Sequence, residues 1–252
     1  MATTHSPPSL FNSYRHFEEF TEGREYVRNH FGKLAGLNVL DAGCGSASWL
    51  FDLTDCHVTG IDVSAKQLAR NHLLRDGVCA DLQTYENEAW LGHFDLILCL
   101  DVLEHLKSPA PVIEKFISWM KPDAALVLAY PNPQSLKGRV TKYSPHILHR
   151  LFYRISIGTP LSDEGDEKGP FNTFLSPDIE LLKLASLLEA HSLKVDLLVS
   201  IESFQNKLIK RYLSTPLVDQ LNKIFLRELR TRVNTSATDF ILVASRANKE
   251  DV

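Results

Sequence analysis

One short apolar run constrains this chain more than any other feature: it ends in an acid and breaks into two spaced glycines. It reads Leu-Asn-Val-Leu-Asp-Ala-Gly-Cys-Gly-Ser-Ala-Ser-Trp over residues 37–49. Val39 to Asp41 have the composition of a buried strand. Gly43 and Gly45 let the backbone turn sharply and leave room for a ligand where a side chain would stand. A helix is expected at 46–54, whose first amides would be unpaired donors for a polar or anionic group. The unit predicted is a strand–turn–helix nucleotide-binding element.

The rest of the chain repeats the alternation. The reading places a helix over 11–35, with Phe17, Phe20, Val27 and Phe31 on one apolar face. Strands follow at 38–41, 57–61, 78–80, 94–100, 124–129, 194–200 and 238–244. Helices are expected at 64–75 with Ser64 as N-cap, from Ser108-Pro109 to Pro122, and at 177–191. Phe94 to Leu100 is apolar at every position but Asp95, as in a strand covered on both faces. This predicts an α/β doubly wound, seven-stranded, mostly parallel sheet in a single domain over 1–252. Residues 131–176 read as a helical cap insertion and 204–230 as a helical insert before the last strand.

Size and charge narrow the function classes. A 252-residue chain with 44% hydrophobic residues supports one large core. A net charge of −4 argues against nucleic acid as a partner. The sequence has no run of about 18 apolar residues, the length a transmembrane helix needs. Its N-terminus lacks a signal-peptide pattern, so a cytoplasmic protein is expected, as monomer or homodimer. Cys44, Cys56, Cys79 and Cys99 fit neither a zinc nor a redox spacing, and no metal site is expected.

Three acids, Asp41, Asp62 and Asp81, each close a predicted strand, where a doubly wound sheet binds its ligand. A lone Asp after a strand is more often a turn residue or cap. Three in register with one glycine turn point to a nucleoside instead. Asp62 is spaced from the turn as a ribose-binding acid would be, and Asp81 is placed to accept an exocyclic amine. A nicotinamide-dependent oxidoreductase would use the turn and Asp62. It would also want a third glycine where Ala47-Ser48 stands, and it leaves Asp41 and Asp81 without a task.

Val39–Gly45, Thr59–Ser64 and the block Phe94–His105 together resemble the first, second and fourth strand motifs of class I S-adenosylmethionine-dependent methyltransferases. The similarity is to small-molecule members of the ubiquinone-biosynthesis kind and, loosely, to polysaccharide-cluster members. Lys121-Pro122-Asp123 and Tyr130-Pro131-Asn132 fit the same pattern. The departure is Ala47, where many members carry glycine. The resemblance implies a Rossmann-like methyltransferase fold with S-adenosylmethionine as cofactor. It implies contacts from Asp41, Gly43, Cys44 and Gly45 at the turn, and from Asp62 and Val63 at the ribose. Asp81 and Leu82 are implied at the adenine, and the backbone of Cys99 and Leu100 at the methionine amine.

The reaction expected is methyl transfer to a small-molecule or glycan acceptor, at oxygen. The alternatives are a protein or RNA methyltransferase, an oxidoreductase, or a cofactor-binding module without catalysis. His105 is the candidate base, since imidazole titrates near neutrality; the competing reading is that it only shapes the pocket. Asp101, Glu104 and His105 crowd together and read as the start of a helix. Tyr14, His105, Asn132, His146 and Arg150 are the candidate acceptor contacts. Lys137, Arg139, Lys142, Arg150 and Arg154 make the cap basic. That suits an anionic acceptor group or a peripheral membrane contact, against the plainer reading of a solvated helix face. The N-terminal helix reads as a lid or as core packing.

Overall fold

A computed structural model describes residues 8–143, 172–226, 229 and 231–247. Its sheet has eight strands: β1 (Tyr14–Phe17), β2 (Asn38–Ala42), β3 (His57–Asp62), β4 (Asp76–Cys79), β5 (Phe94–Leu100), β6 (Met120–Pro131), β7 (Leu193–Ile201) and β8 (Asp239–Arg246). Their order is β1-β7-β8-β6-β5-β2-β3-β4. Every pairing is parallel except those of β8, which runs antiparallel to β6 and β7. The order reverses at β2 and β5, the switch point where ligands bind in such sheets.

The two faces carry different cover. One packs Leu40, Ile97, Cys99, Leu126 and Leu128 against α3 (Pro109–Trp119) and α5 (Leu181–Ala190). The other packs Val39, Leu98, Val127 and Val199 against α1 (Phe20–Phe31) and residues 50–53. All β5 residues but the half-buried Asp95 are buried, including the unbroken run Leu96 to Leu100, as expected of a strand covered on both faces.

Several expectations change. Residues 14–17 are a strand, not helix, and make an eighth strand paired with β7. The reason is local: the Tyr14 hydroxyl and His16 Nδ1 each lie 2.8 Å from the buried Ser200 hydroxyl, fixing 14–17 to the sheet edge. No helix forms at 46–54. Leu50, Phe51 and Leu53 are instead buried as an irregular segment in the cluster beside α1. The carbonyls of Trp49 and Leu50 are met by Arg28, with Arg24 also reaching Trp49.

The helix α2 spans only Ala65–Leu68, capped by Ser64 as expected. It stops because the Asn71 side chain turns inward and competes with helical bonding, accepting from Leu73 N and donating to the Cys44 and Gly45 carbonyls. α3 ends at Trp119, before Pro122. That proline sits in β6 beside the irregularity in its pairing with β5, where a missing N–H is tolerated. Of the expected cap, α4 (Leu136–Tyr143) is described. His146, Arg150, Arg154 and the acidic run 163–167 lie outside the described residues. The 204–230 insert holds α6 (Phe204–Leu213) and α7 (Thr215–Leu226).

Candidate active site

The glycine turn joins β2 to β3 and sits at the switch point. Gly43 N donates to the Ile61 carbonyl at 2.7 Å. Gly43 and Gly45 adopt φ +75° and +50°, a region costly to other residues. A Cβ on Gly43 would stand 2.2 Å from Val102 Cγ2, so the turn packs on the chain leaving β5. Asp62 accepts from Gly45 N at 2.9 Å and from Ser64 N at 2.8 Å. The ribose candidate thus also holds the turn in shape. Asn71, which the sequence reading did not single out, grips the turn from its carbonyl side.

Asp41 is buried, and its carboxyl is pushed up to about 7 by burial and then by the Asp62 charge. Cys44 is buried in the turn; burial, then Asp41 and Asp62, push its thiol up to about 12, so it packs rather than reacts. Cys99 is buried within β5 and its thiol is likewise raised by burial. Leu100 closes the strand. Val63 presents an exposed apolar side chain beside Asp62. Asp81 is exposed and accepts from Gln83 N at 2.8 Å. The neighbouring Leu82 amide makes no hydrogen bond among the described residues.

These residues fit S-adenosylmethionine. Gly43 and Gly45 carry no Cβ atoms, Asp41 and Asp62 stand at the ends of β2 and β3 with Asp81 just past β4, and the exposed Val63 side chain and the Leu82 amide lie beside them. Gly43 and Gly45, Asp62 with Val63, and Asp81 with Leu82 line up along the carboxyl edge of β2, β3 and β4.

Beside the turn opens a cleft of about 330 Å³. Its walls include Phe20, Trp49, Tyr130, Phe204 and Phe240, and its polar lining includes Asp101, Lys137, Glu202 and Asp239. The sequence reading missed this set as a site because it comes from α1, β6, α4, α6, β8 and the loops at 49, 101 and 202, which are far apart in the chain. Trp49 stacks near Phe20, with ring centroids 5.0 Å apart. α1 therefore both closes the cleft and packs as core, through Gly23 against Ile201. Lys137 pairs with Asp239 at 2.8 Å, Arg139 stacks on Phe225 and Lys142 donates to the Leu175 carbonyl. The cations of the described part of the cap are thus engaged within the protein.

The structure separates the remaining candidates. His105 sits on a single 3-10 turn, Leu103–His105, with Nδ1 2.9 Å from the Asn172 carbonyl; burial lowers its pKa. The expected helix start at 101–105 is this turn, and the helix begins only at Pro109. Tyr14 spends its hydroxyl on Ser200 and on the Asn234 amide, away from the cleft lining. Asn132 is fully buried, donating to the Ala237 carbonyl and accepting from Gln134 N, so it frames the turn after β6. Glu104 is buried, with its carboxyl pushed up to about 8 by burial and then by Asp101.

The sheet order and the glycine turn at its switch point define a class I S-adenosylmethionine-dependent methyltransferase fold. A family model described as methyltransferase domain matches residues 14–195, and the chain belongs to that family. The ubiquinone biosynthesis O-methyltransferase of Nitrosococcus oceani is 40% identical over 106 residues, 39% of this chain and 44% of that protein. The chain spans about half the length, or less, of the curated relatives it matches. A SAM-dependent methyltransferase from Methanosarcina mazei superposes with TM-score 0.51 at 17% identity, covering 92% of this chain and all 100% of that one. The plantazolicin methyltransferase BpumL, solved with a triazolic desmethylPZN analog and SAH, gives TM-score 0.51 at 14% identity, covering 91% of this chain and 84% of that one. These two likenesses are of fold.

Proposed function

We propose that this chain transfers a methyl group from S-adenosylmethionine to a hydroxyl of a small, ring-bearing acceptor. The observation that carries the reading is an aromatic-walled cleft lined by Asp101, the residue next to Val102, which packs on the glycine turn. The named activity of the Nitrosococcus relative, an O-methyltransferase of ubiquinone biosynthesis, supports oxygen as the target. Bound S-adenosylmethionine supplies an activated methyl group on its sulfonium.

The protein's part is alignment and exclusion of water. In this reading Gly43 and Gly45 keep the backbone open to the methionine portion. Asp62 takes the ribose hydroxyls with its remaining lone pairs. Asp81 and the Leu82 amide read the adenine edge, with Val63 against its face. The backbone of Cys99 and Leu100 meets the amine. Phe20, Trp49 and Phe204 cover the acceptor, and α4 brings Lys137 to the cleft rim, which makes 131–176 a specificity cap. Residues 204–230 supply the opposite rim through Phe204. Among the described residues no helix is long and apolar enough to cross a membrane, which accords with a cytoplasmic setting.

The test is calorimetric titration of the protein with S-adenosylmethionine, S-adenosylhomocysteine and NAD, followed by a labelled-methyl assay on catechols, simple phenols and free sugars. Micromolar binding of both sulfur nucleotides, with label moving to a ring hydroxyl, is the expected result. Binding of NAD in their place would overturn the cofactor assignment. Label moving only to sugars would replace the acceptor class.

A further inference from the structure

We propose that Asp101 is the catalytic residue that takes the proton from the acceptor's hydroxyl. The inference rests on the proposed transfer to a ring hydroxyl and assigns its missing base. Asp101 lies at the end of β5, one residue beyond the Cys99–Leu100 backbone, and lines the aromatic cleft. It is held at φ +58°, with its amide donating to the Ala129 carbonyl at 2.9 Å. That conformation directs residue 101 away from the continuing chain, which turns at Val102 to pack on Gly43.

The surroundings point to a ligand. The Asp101 carboxylate accepts no hydrogen bond of good geometry from a described residue, although the Trp49 indole stands close enough to favour its charged form. Tyr130 lines the same cleft, is 1% exposed, and its hydroxyl has no hydrogen-bond partner among the described residues. The cleft's other charged side chains are already paired, Lys137 with Asp239, Lys207 with Glu19 and Glu202 with Lys210, which leaves Asp101 as the lining acid without an ion pair among the described residues. The charged or titratable groups around Asp101 are Asp239 on β8, Lys137 on α4 and Glu104 on the following turn. Asp101 is exposed at the cleft surface, but desolvation by the surrounding cleft walls and then Asp239 push its carboxyl up to about 6, against Lys137 and Trp49, which hold it down. A base so poised is ionised at neutral pH yet basic enough to accept a proton.

The step balances simply. The acceptor oxygen forms a bond to the methyl carbon as the carbon–sulfur bond breaks and its electron pair stays on sulfur. The hydroxyl proton passes to the Asp101 carboxylate and then to solvent.

The experiment compares wild type with Asp101→Asn on catechols of graded acidity. Asparagine keeps the left-handed backbone at little cost, and S-adenosylhomocysteine titration reports whether cofactor binding survives. With catechol, kcat should fall about a hundredfold, the low end for loss of an acid–base group. With nitrocatechol already ionised at the assay pH, the deficit should shrink to about threefold or less, since there is no proton left to accept. Wild-type kcat on catechol should rise with pH through about 6 and then level, and the variant should lack that limb. An equal deficit on both acceptors would overturn the assignment, and so would a tenfold loss of S-adenosylhomocysteine affinity, which would make Asp101 a cofactor ligand. A wild type that binds the cofactor but methylates no catechol would instead overturn the ring-hydroxyl reading itself.

Discussion

Gly45 donates its amide hydrogen to Asp62 Oδ2 at 2.9 Å, tying the glycine turn after β2 to the acid that ends β3. The second oxygen of Asp62 accepts from Ser64 N at 2.8 Å, which also starts α2. One carboxylate therefore shapes the turn and holds the N-cap residue of the next helix, and in the proposed binding mode it also meets the ribose. Such bonds to an ionised acceptor are stronger than neutral ones. The cofactor edge is built as a unit, and the residues proposed to bind the nucleoside are also those that hold the loop.

Asp62→Ala should fail on both counts. Two amides lose their acceptor, which costs about 2 kcal/mol of unfolding free energy. The expected loss of S-adenosylhomocysteine affinity is about a hundredfold, equivalent to roughly 3 kcal/mol. Urea melts and calorimetry measure the two effects separately. Retained affinity in a destabilised variant would show that Asp62 serves the loop alone.

Gly43→Ala tests the close approach to Val102. The added methyl falls 2.2 Å from Val102 Cγ2 at φ +75°. Overpacking and the left-handed backbone together should destabilise the fold by about 2–4 kcal/mol. Gly43→Ala combined with Val102→Ala removes the clash and leaves the backbone cost, so its urea midpoint should lie between those of wild type and the single variant. A double variant no better than the single one would mean that backbone strain, not packing, sets the requirement for glycine.

The sequence made the strand ends legible because each buried strand there is an apolar run stopped by an acid. Asp41 and Asp62 show this, and β5 spans the residues its pattern marks out; Asp81 instead follows a short, mostly exposed strand, β4, two residues past its end. Local patterns misled where a side chain replaces helical bonding. Arg28 and Arg24 satisfy the carbonyls of 49–50, and Asn71 halts α2 to hold the turn. The cleft carried no local signal. Phe20, Trp49, Asp101, Tyr130, Phe204 and Asp239 come together only through the sheet order, which puts β6, then β8, then β7 on one side of β5. Tyr14 illustrates the opposite case, an aromatic residue near the N-terminus whose polar end is consumed by the sheet edge.

Tyr14→Phe should accordingly act on stability and not on turnover. The hydroxyl links Ser200 on β7 to the Asn234 amide, and its removal leaves both short of a partner. The expected cost is about 1–2 kcal/mol, read as a lower urea midpoint. Methyl transfer by the folded variant should keep its KM for the acceptor. A raised KM with unchanged stability would place Tyr14 at the acceptor after all.

Asp41 makes stability depend on pH in the direction opposite to a salt-bridged acid. Its folded pKa is raised to about 7 by burial and then by Asp62, above the ordinary 3.8. Between those values the folded chain holds a proton that the unfolded chain releases. Its contribution is therefore fully present below about pH 4 and is lost as pH rises to about 7. Glu104, raised to about 8, adds to the same slope at higher pH. Asp41→Asn removes the charge that has to be buried at neutral pH. Relative to wild type, the variant should gain on the order of 4 kcal/mol at about pH 8 and nothing at about pH 4. Urea midpoints across that range measure the difference. A gain of equal size at both ends would show that Asp41 is not the buried proton, and would pass the slope to Glu104.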